Sequence, residues 1–120
     1  MRLRVLAIAV PLLGLASARA VAQQTLLATA ASTSYDEVAN CLMKQMTPRL
    51  TAVPVVRPPP TNQAEVYLYI HGTRETAPPV ASFLIKQQDN GPTTISFEEH
   101  GDRPGQYIAA AKAAATRCAR

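Results

Sequence analysis

The chain has 120 residues, 48% of them hydrophobic and 17% charged, with 12 Lys and Arg against 8 Asp and Glu for a formal net charge of +4. Three of the basic residues (Arg2, Arg4 and Arg19) lie at the extreme N-terminus, and the remaining nine, Lys44, Arg49, Arg57, Arg74, Lys86, Arg103, Lys112, Arg117 and Arg120, are scattered. The clustered basic face of a nucleic-acid binder is therefore excluded, and the high isoelectric point is no argument for one.

Residues 1–22 have the three-part layout of a secretory leader. Arg2 and Arg4 precede an apolar run from Leu3 to Ala16, and Ala18, Ala20 and Ala22 then offer the small-x-small spacing of a cleavage site. Cleavage is expected after Ala22, with Ala20 as the alternative. The run is short for a membrane span, which takes about 20 apolar residues; an uncleaved N-terminal anchor is the competing reading. No Cys directly follows the run, so lipid modification there is not expected. The destination is periplasmic or extracellular, with no membrane span after cleavage. About 98 residues remain, enough for one small domain whose modest core benefits from a covalent staple.

Gln23 to Thr33 is rich in Ala and Thr without a clear period, and reads as a loose N-terminal arm. A single small domain is expected over residues 34–120. Ser34 and Glu37 have the spacing of a capping box, and Tyr35, Val38, Cys41, Leu42 and Met46 then recur at helical spacing. Pro48 predicts a stop at Thr47. Leu50 to Thr61 is proline-rich and extended, with Ala52–Arg57 as a possible edge strand, where proline is tolerated.

Three strands are predicted next. In residues 65–70, Val66, Leu68 and Ile70 face one way and Glu65, Tyr67 and Tyr69 the other. Residues 80–87 place Ala81, Phe83 and Ile85 on the apolar side, and residues 93–100 do the same with Ile95 and Phe97. Asn90-Gly91 between the last two favours a tight turn. These runs predict an antiparallel meander with one wet face. Asp102 as N-cap and Pro104 in a first turn predict a last, alanine-rich helix with Tyr107, Ile108, Ala111, Ala115 and Cys118 on one face. The expected fold is α+β: a helix, a three- to four-stranded antiparallel sheet and a C-terminal helix, both helices on one sheet face. Cys41 and Cys118 then point into one layer, and an oxidising compartment predicts a Cys41–Cys118 disulfide.

Sites are sparse. His71 and His100 end two strands and, with Glu98 and Glu99, offer zinc-type donors, but at no recognised spacing. Glu98 and Glu99 are adjacent on a strand and face opposite ways, so they are not expected to act as an acid–base pair. Neither a G-x-S-x-G or S-x-x-K motif nor a phosphate loop or dinucleotide fingerprint follows the leader. No metal, cofactor or catalytic set is expected. Tyr67 and Tyr69, side by side on the wet face with Glu65, are the strongest binding candidates, since tyrosine supplies contact area at low entropic cost. The leading expectation is an exported, non-enzymatic binding module whose partner is another envelope or secreted protein. The alternatives are a small exported hydrolase or metal-binding protein built on His71, His100 and nearby carboxylates, and an envelope protein without a discrete site.

Overall fold

The computed structural model describes residues 24–101 and 105–120. The expected leader, with its expected cleavage site, lies outside the described residues, as do Asp102 and Pro104. The elements are β1 (Thr25–Ala30), α1 (Tyr35–Met46), β2 (Thr51–Arg57), β3 (Gln63–Tyr69), β4 (Ala81–Gln87), β5 (Thr93–Glu99) and α2 (Ile108–Cys118). The five strands form one antiparallel sheet in the order β1-β5-β4-β3-β2. From β1 on one edge, α1 carries the chain across the sheet to β2 on the other, and the meander walks back until β5 closes against β1. The architecture is α+β, with both helices on the same face of the sheet.

The sheet has five strands where three or four were expected, and the addition is β1. Residues 23–33, read from composition as an arm, instead supply an edge strand. Its register shifts between Leu26 and Ala28, so that Leu26 opposes Ser96 while Ala28 opposes Ile95. This bulge places Leu26 outward, 61% exposed, and sends the neighbouring Leu27 against the core. An extra residue destroys the alternation by which a strand is read from sequence. On the opposite edge β2 carries Pro54 opposite Val66. With one side of the strand unpaired, the missing N–H is tolerated.

The core lies between the sheet and the helices. Ala64, Val66 and Leu68 of β3, Ala81, Phe83 and Ile85 of β4, and Ile95 and Phe97 of β5 are buried against Val38, Ala39, Leu42 and Met46 of α1 and Ala111, Ala114, Ala115 and Cys118 of α2. The Phe83 and Phe97 rings meet across the β4–β5 pair at 5.0 Å between centroids, inclined by 54°. Helix α1 covers β2, β3 and β4, and α2 covers β1 and β5. The alanine-rich face of α2 lets it lie close to the sheet. Cys41 and Cys118 join the helices in a disulfide, with Cα atoms 5.7 Å apart and a sequence separation of 77.

Several ends differ from the expectation. Ser34 is the N-cap of α1, yet its side chain caps no backbone N–H. Its hydroxyl faces Asp36 Oδ1 at 2.6 Å and Glu37 Oε1 at 2.7 Å, and its single proton serves one of them at a time. That hydrogen bond holds Asp36 below the ordinary carboxylate range. The Tyr35 N–H donates to Gln87 Oε1 at 3.1 Å, and the Tyr35 hydroxyl to the Arg57 carbonyl at 2.8 Å, so the helix start is tied to both β4 and β2. Ile70, expected inward, is 49% exposed. β3 ends at Tyr69, opposite the first residue of β2, and the chain turns away there, the Thr73 N–H donating to the Ile70 carbonyl. The β4–β5 turn spans 88–92, and within it only Asn90 takes a positive φ, +52°. Helix α2 begins at Ile108, after Gly105 at φ +88°, rather than next to Pro104.

The buried Thr93 hydroxyl donates to the Thr33 carbonyl at 2.7 Å, which fastens the β1–α1 connection to β5. Urea unfolding is expected to show a loss of about 3–5 kcal/mol for Phe83→Ala, because the cavity opens at the aromatic pair. Thr93→Val, nearly isosteric, is expected to cost about 1 kcal/mol by removing that hydrogen bond. A Phe83→Ala protein as stable as the parent would contradict this placement of the core.

Candidate ligand groove on the uncovered sheet face

The face opposite the helices is organised by register. One row across four strands reads Val53, Tyr67, Ser82, Glu98. The next reads Val55, Glu65, Leu84, Ser96 and Leu26, and the one beyond it Arg57, Gln63, Lys86, Thr94 and Thr29. Since β3 alternates strictly between buried and half-buried residues, Glu65, Tyr67 and Tyr69 share this face, as their spacing predicts. Both polar and apolar side chains stand on it, and neither helix covers them.

Two clusters occupy the face. In the first, Arg57 donates through Nε and Nη2 to Glu65 Oε1, the closer contact being 3.1 Å, while the Tyr67 hydroxyl donates to Glu65 Oε2 at 3.0 Å. Glu65 thus acts as the acceptor between a guanidinium and a phenol. Burial, reinforced by the hydrogen bond to the Glu65 carboxylate and its charge, pushes the Tyr67 phenol above the ordinary tyrosine value.

The second cluster is at the end of β4 and β5. Ser82 Oγ lies 3.4 Å from His100 Nε2, and His100 Nδ1 lies 3.4 Å from Glu98 Oε2. Ser82 and Glu98 are direct cross-strand partners, and His100 stands two residues beyond Glu98 on the same side. Because a carboxylate only accepts, Glu98 favours the tautomer with the proton on Nδ1, leaving the Nε2 lone pair toward the serine hydroxyl. The adjacent Glu99 points the other way. Its two oxygens accept the Gly105 and Tyr107 backbone N–H groups at 2.7 and 2.8 Å, at the entry to α2. The two neighbouring carboxylates thus have separate duties, in keeping with their opposite orientation on a strand.

Between these clusters and the β3–β4 loop lies an open groove of about 560 Å³, lined by Tyr67, Ala77, Pro78, Pro79, Val80, His100 and Gly101. The loop is held in shape by its own hydrogen bonds. The Thr73 hydroxyl donates to the Ile70 carbonyl at 2.8 Å, and the Ala77 N–H to the Thr73 carbonyl at 2.9 Å. The Val80 N–H then donates to the Leu68 carbonyl, and the His100 N–H to the Val80 carbonyl, both at 2.8 Å. Two prolines and a valine therefore form a preset apolar wall, with the Tyr67 ring and the His100 imidazole completing the lining.

His71 is not part of this lining. Its Nδ1 meets the Thr51 hydroxyl at 3.0 Å instead, so the two histidines have different neighbours. Among the described residues, no three His, Cys, Asp or Glu side chains gather as a metal-binding group would. Tyr69 stands on the face beside Tyr67 but does not line the groove. The residues that sequence reasoning missed are Ser82 and the loop segment Ala77–Val80. Ser82 was recoverable in principle. Once Gln87 is paired with Thr93 across the turn, counting back along both strands puts Ser82 opposite Glu98. The groove wall had only a weak signal, the Pro78-Pro79 pair.

Comparison with known proteins finds no matching family model, no matching curated protein and no matching solved structure. Among the described residues, no helix is long and apolar enough to cross a membrane.

The Arg57–Glu65–Tyr67 cluster has a titration signature. The Tyr67 ring is expected to lose its proton above the normal phenol range, read from its ring carbon shift by NMR. Glu65→Gln is expected to move that titration down toward the ordinary value, because it removes the neighbouring negative charge and weakens the acceptor. An unchanged Tyr67 titration in Glu65→Gln would show that the cluster does not form in solution.

Proposed function

We propose that the chain is an exported binding module whose uncovered sheet face contacts a partner protein of the envelope or surroundings, with the Tyr67 groove taking an apolar side chain or group of that partner. The observation that carries this reading is the groove itself: a largely apolar concavity of about 560 Å³ on the one sheet face that neither helix covers. Binding sites are typically concave and mostly apolar, with a few polar groups that fix orientation. Here two lining residues carry polar partners: His100 meets Ser82 and Glu98, and Tyr67 meets Glu65. Export is supported by two independent features, the leader-like pattern of residues 1–22 and the Cys41–Cys118 disulfide, a bond that persists in oxidising compartments.

The aromatic pair gives the experiment. The double variant Tyr67→Ala/Tyr69→Ala is expected to fold with the parent disulfide. Each substitution should cost about 1 kcal/mol or less through lost β propensity and cross-strand contact. A partner that co-purifies with the oxidised parent protein from envelope extracts is expected to be lost from the double variant. Lys112→Ala, on the exposed side of α2, is expected to retain it. Equal retention by the double variant would assign binding to another surface.

A further inference from the structure

We infer that Ser82, His100 and Glu98 form a nucleophile–base–carboxylate set that transfers the acyl group of small uncharged esters seated in the Tyr67 groove. The inference rests on the groove as the recognition site and adds a chemical step to it. Three observations carry it. The serine hydroxyl and both imidazole nitrogens are in sequence with a carboxylate, each separation being 3.4 Å. This is the outer limit of hydrogen bonding, and such contacts tighten when substrate binds. Ser82 and Glu98 are cross-strand partners on β4 and β5, and His100, one residue past the end of β5, is held there by its N–H to the Val80 carbonyl at 2.8 Å. His100 also lines the groove, which brings the base to the wall of an apolar concavity. An activated serine is recognised by this arrangement of roles rather than by chain order.

The step balances without a co-reactant other than water. Ser82 Oγ forms a bond to the ester carbonyl carbon as its proton passes to His100 Nε2. The bond from that carbon to the alkoxy oxygen breaks, and the leaving alcohol takes the proton from His100. Water then adds to the acyl-serine carbonyl and gives a proton to His100, which returns it to Ser82 Oγ as the acid departs. Glu98 is a positioning residue: it holds the proton on Nδ1 and balances the imidazolium that forms.

The surroundings define the substrate class. Among the described residues the groove lining carries no Lys, Arg, Asp or Glu, so an uncharged molecule is favoured over an ion. The prolines, Val80 and the Tyr67 ring suit an aryl or short alkyl group. β4 is paired on both edges, so the backbone around Ser82 is committed to the ladder. Acyl transfer therefore extends to esters with good leaving groups and not to amides, which need stronger oxyanion stabilisation.

The test uses the oxidised protein and two probes. With p-nitrophenyl acetate, peptide mass mapping is expected to find one acetyl adduct, on Ser82. Ser82→Ala is expected to lose the adduct, and His100→Gln to form it about a hundred-fold more slowly, the usual worth of a general base. Glu98→Gln is expected to slow acylation and to shift the His100 tautomer, read from its ring nitrogen shifts, an effect that a purely structural carboxylate would not produce. An adduct on a tyrosine instead of Ser82, or Ser82 acylation at the parent rate in His100→Gln, would overturn the proposal. The second probe, the amide acetanilide, separates recognition from chemistry. If acetanilide shifts the Tyr67 and His100 ring resonances while p-nitrophenyl acetate leaves Ser82 unacylated, the groove stands and the chemistry falls. If acetanilide shifts neither ring and p-nitrophenyl acetate leaves Ser82 unacylated, both fall.

Discussion

The disulfide between Cys41 and Cys118 binds the two helices together over one face of the sheet, and the rest of the architecture is arranged around that clasp. Helix α1 spans β2, β3 and β4, while α2 closes over β1 and β5, so neither helix alone covers the apolar face. A chain of this length buries only a modest core, and the ring closed by the bond spans most of the domain, with a sequence separation of 77. In the chain-entropy account such a ring removes about 4–5 kcal/mol of freedom from the unfolded state, comparable with the lower end of the stability of a whole domain. The clasp therefore matters more here than in a larger protein.

The same arrangement leaves the opposite sheet face uncovered. Its side chains are held by one another instead of by a second layer: Arg57 and Tyr67 on Glu65, Ser82 and Glu98 on His100. The division between the faces is sharpest where β5 ends. Glu98 and His100 look outward, His100 onto the groove, while Glu99 between them accepts the two backbone N–H groups at the approach to α2. Three consecutive residues thus face outward, toward α2 and outward again, by alternation along the chain. The groove exists because the β3–β4 loop folds back on itself and sets Pro78, Pro79 and Val80 as a wall beside that edge.

Much of this was legible in the residues. The alternation in β3, β4 and β5 gave both the inward set and the outward tyrosines, and the pairing of Cys41 with Cys118 followed from their two apolar stripes. What escaped did so for physical reasons. β1 carries a bulge at Leu26 and Leu27 that erases its period and is rich in small residues with no strong strand preference. The start of α2 was misread because Asp102 and Pro104 resemble a cap and first turn, whereas the chain takes a positive φ at Gly105 before the helix begins. The Ser82–His100–Glu98 set was missed because its members come from two strands. Their proximity depends on the register that pairs Gln87 with Thr93 across the turn. Local patterns reveal which face a residue occupies, but neighbours across strands are known only when the pairing is.

The clasp is open to one direct measurement. Unfolding of the protein is followed in urea before and after reduction by a phosphine, with free thiols counted in each sample. The fold requires no free thiol in the untreated protein and a fall in stability of about 4 kcal/mol on reduction. Two free thiols before treatment, or an unfolding midpoint that reduction leaves in place, would show that the helices are not held together by Cys41 and Cys118.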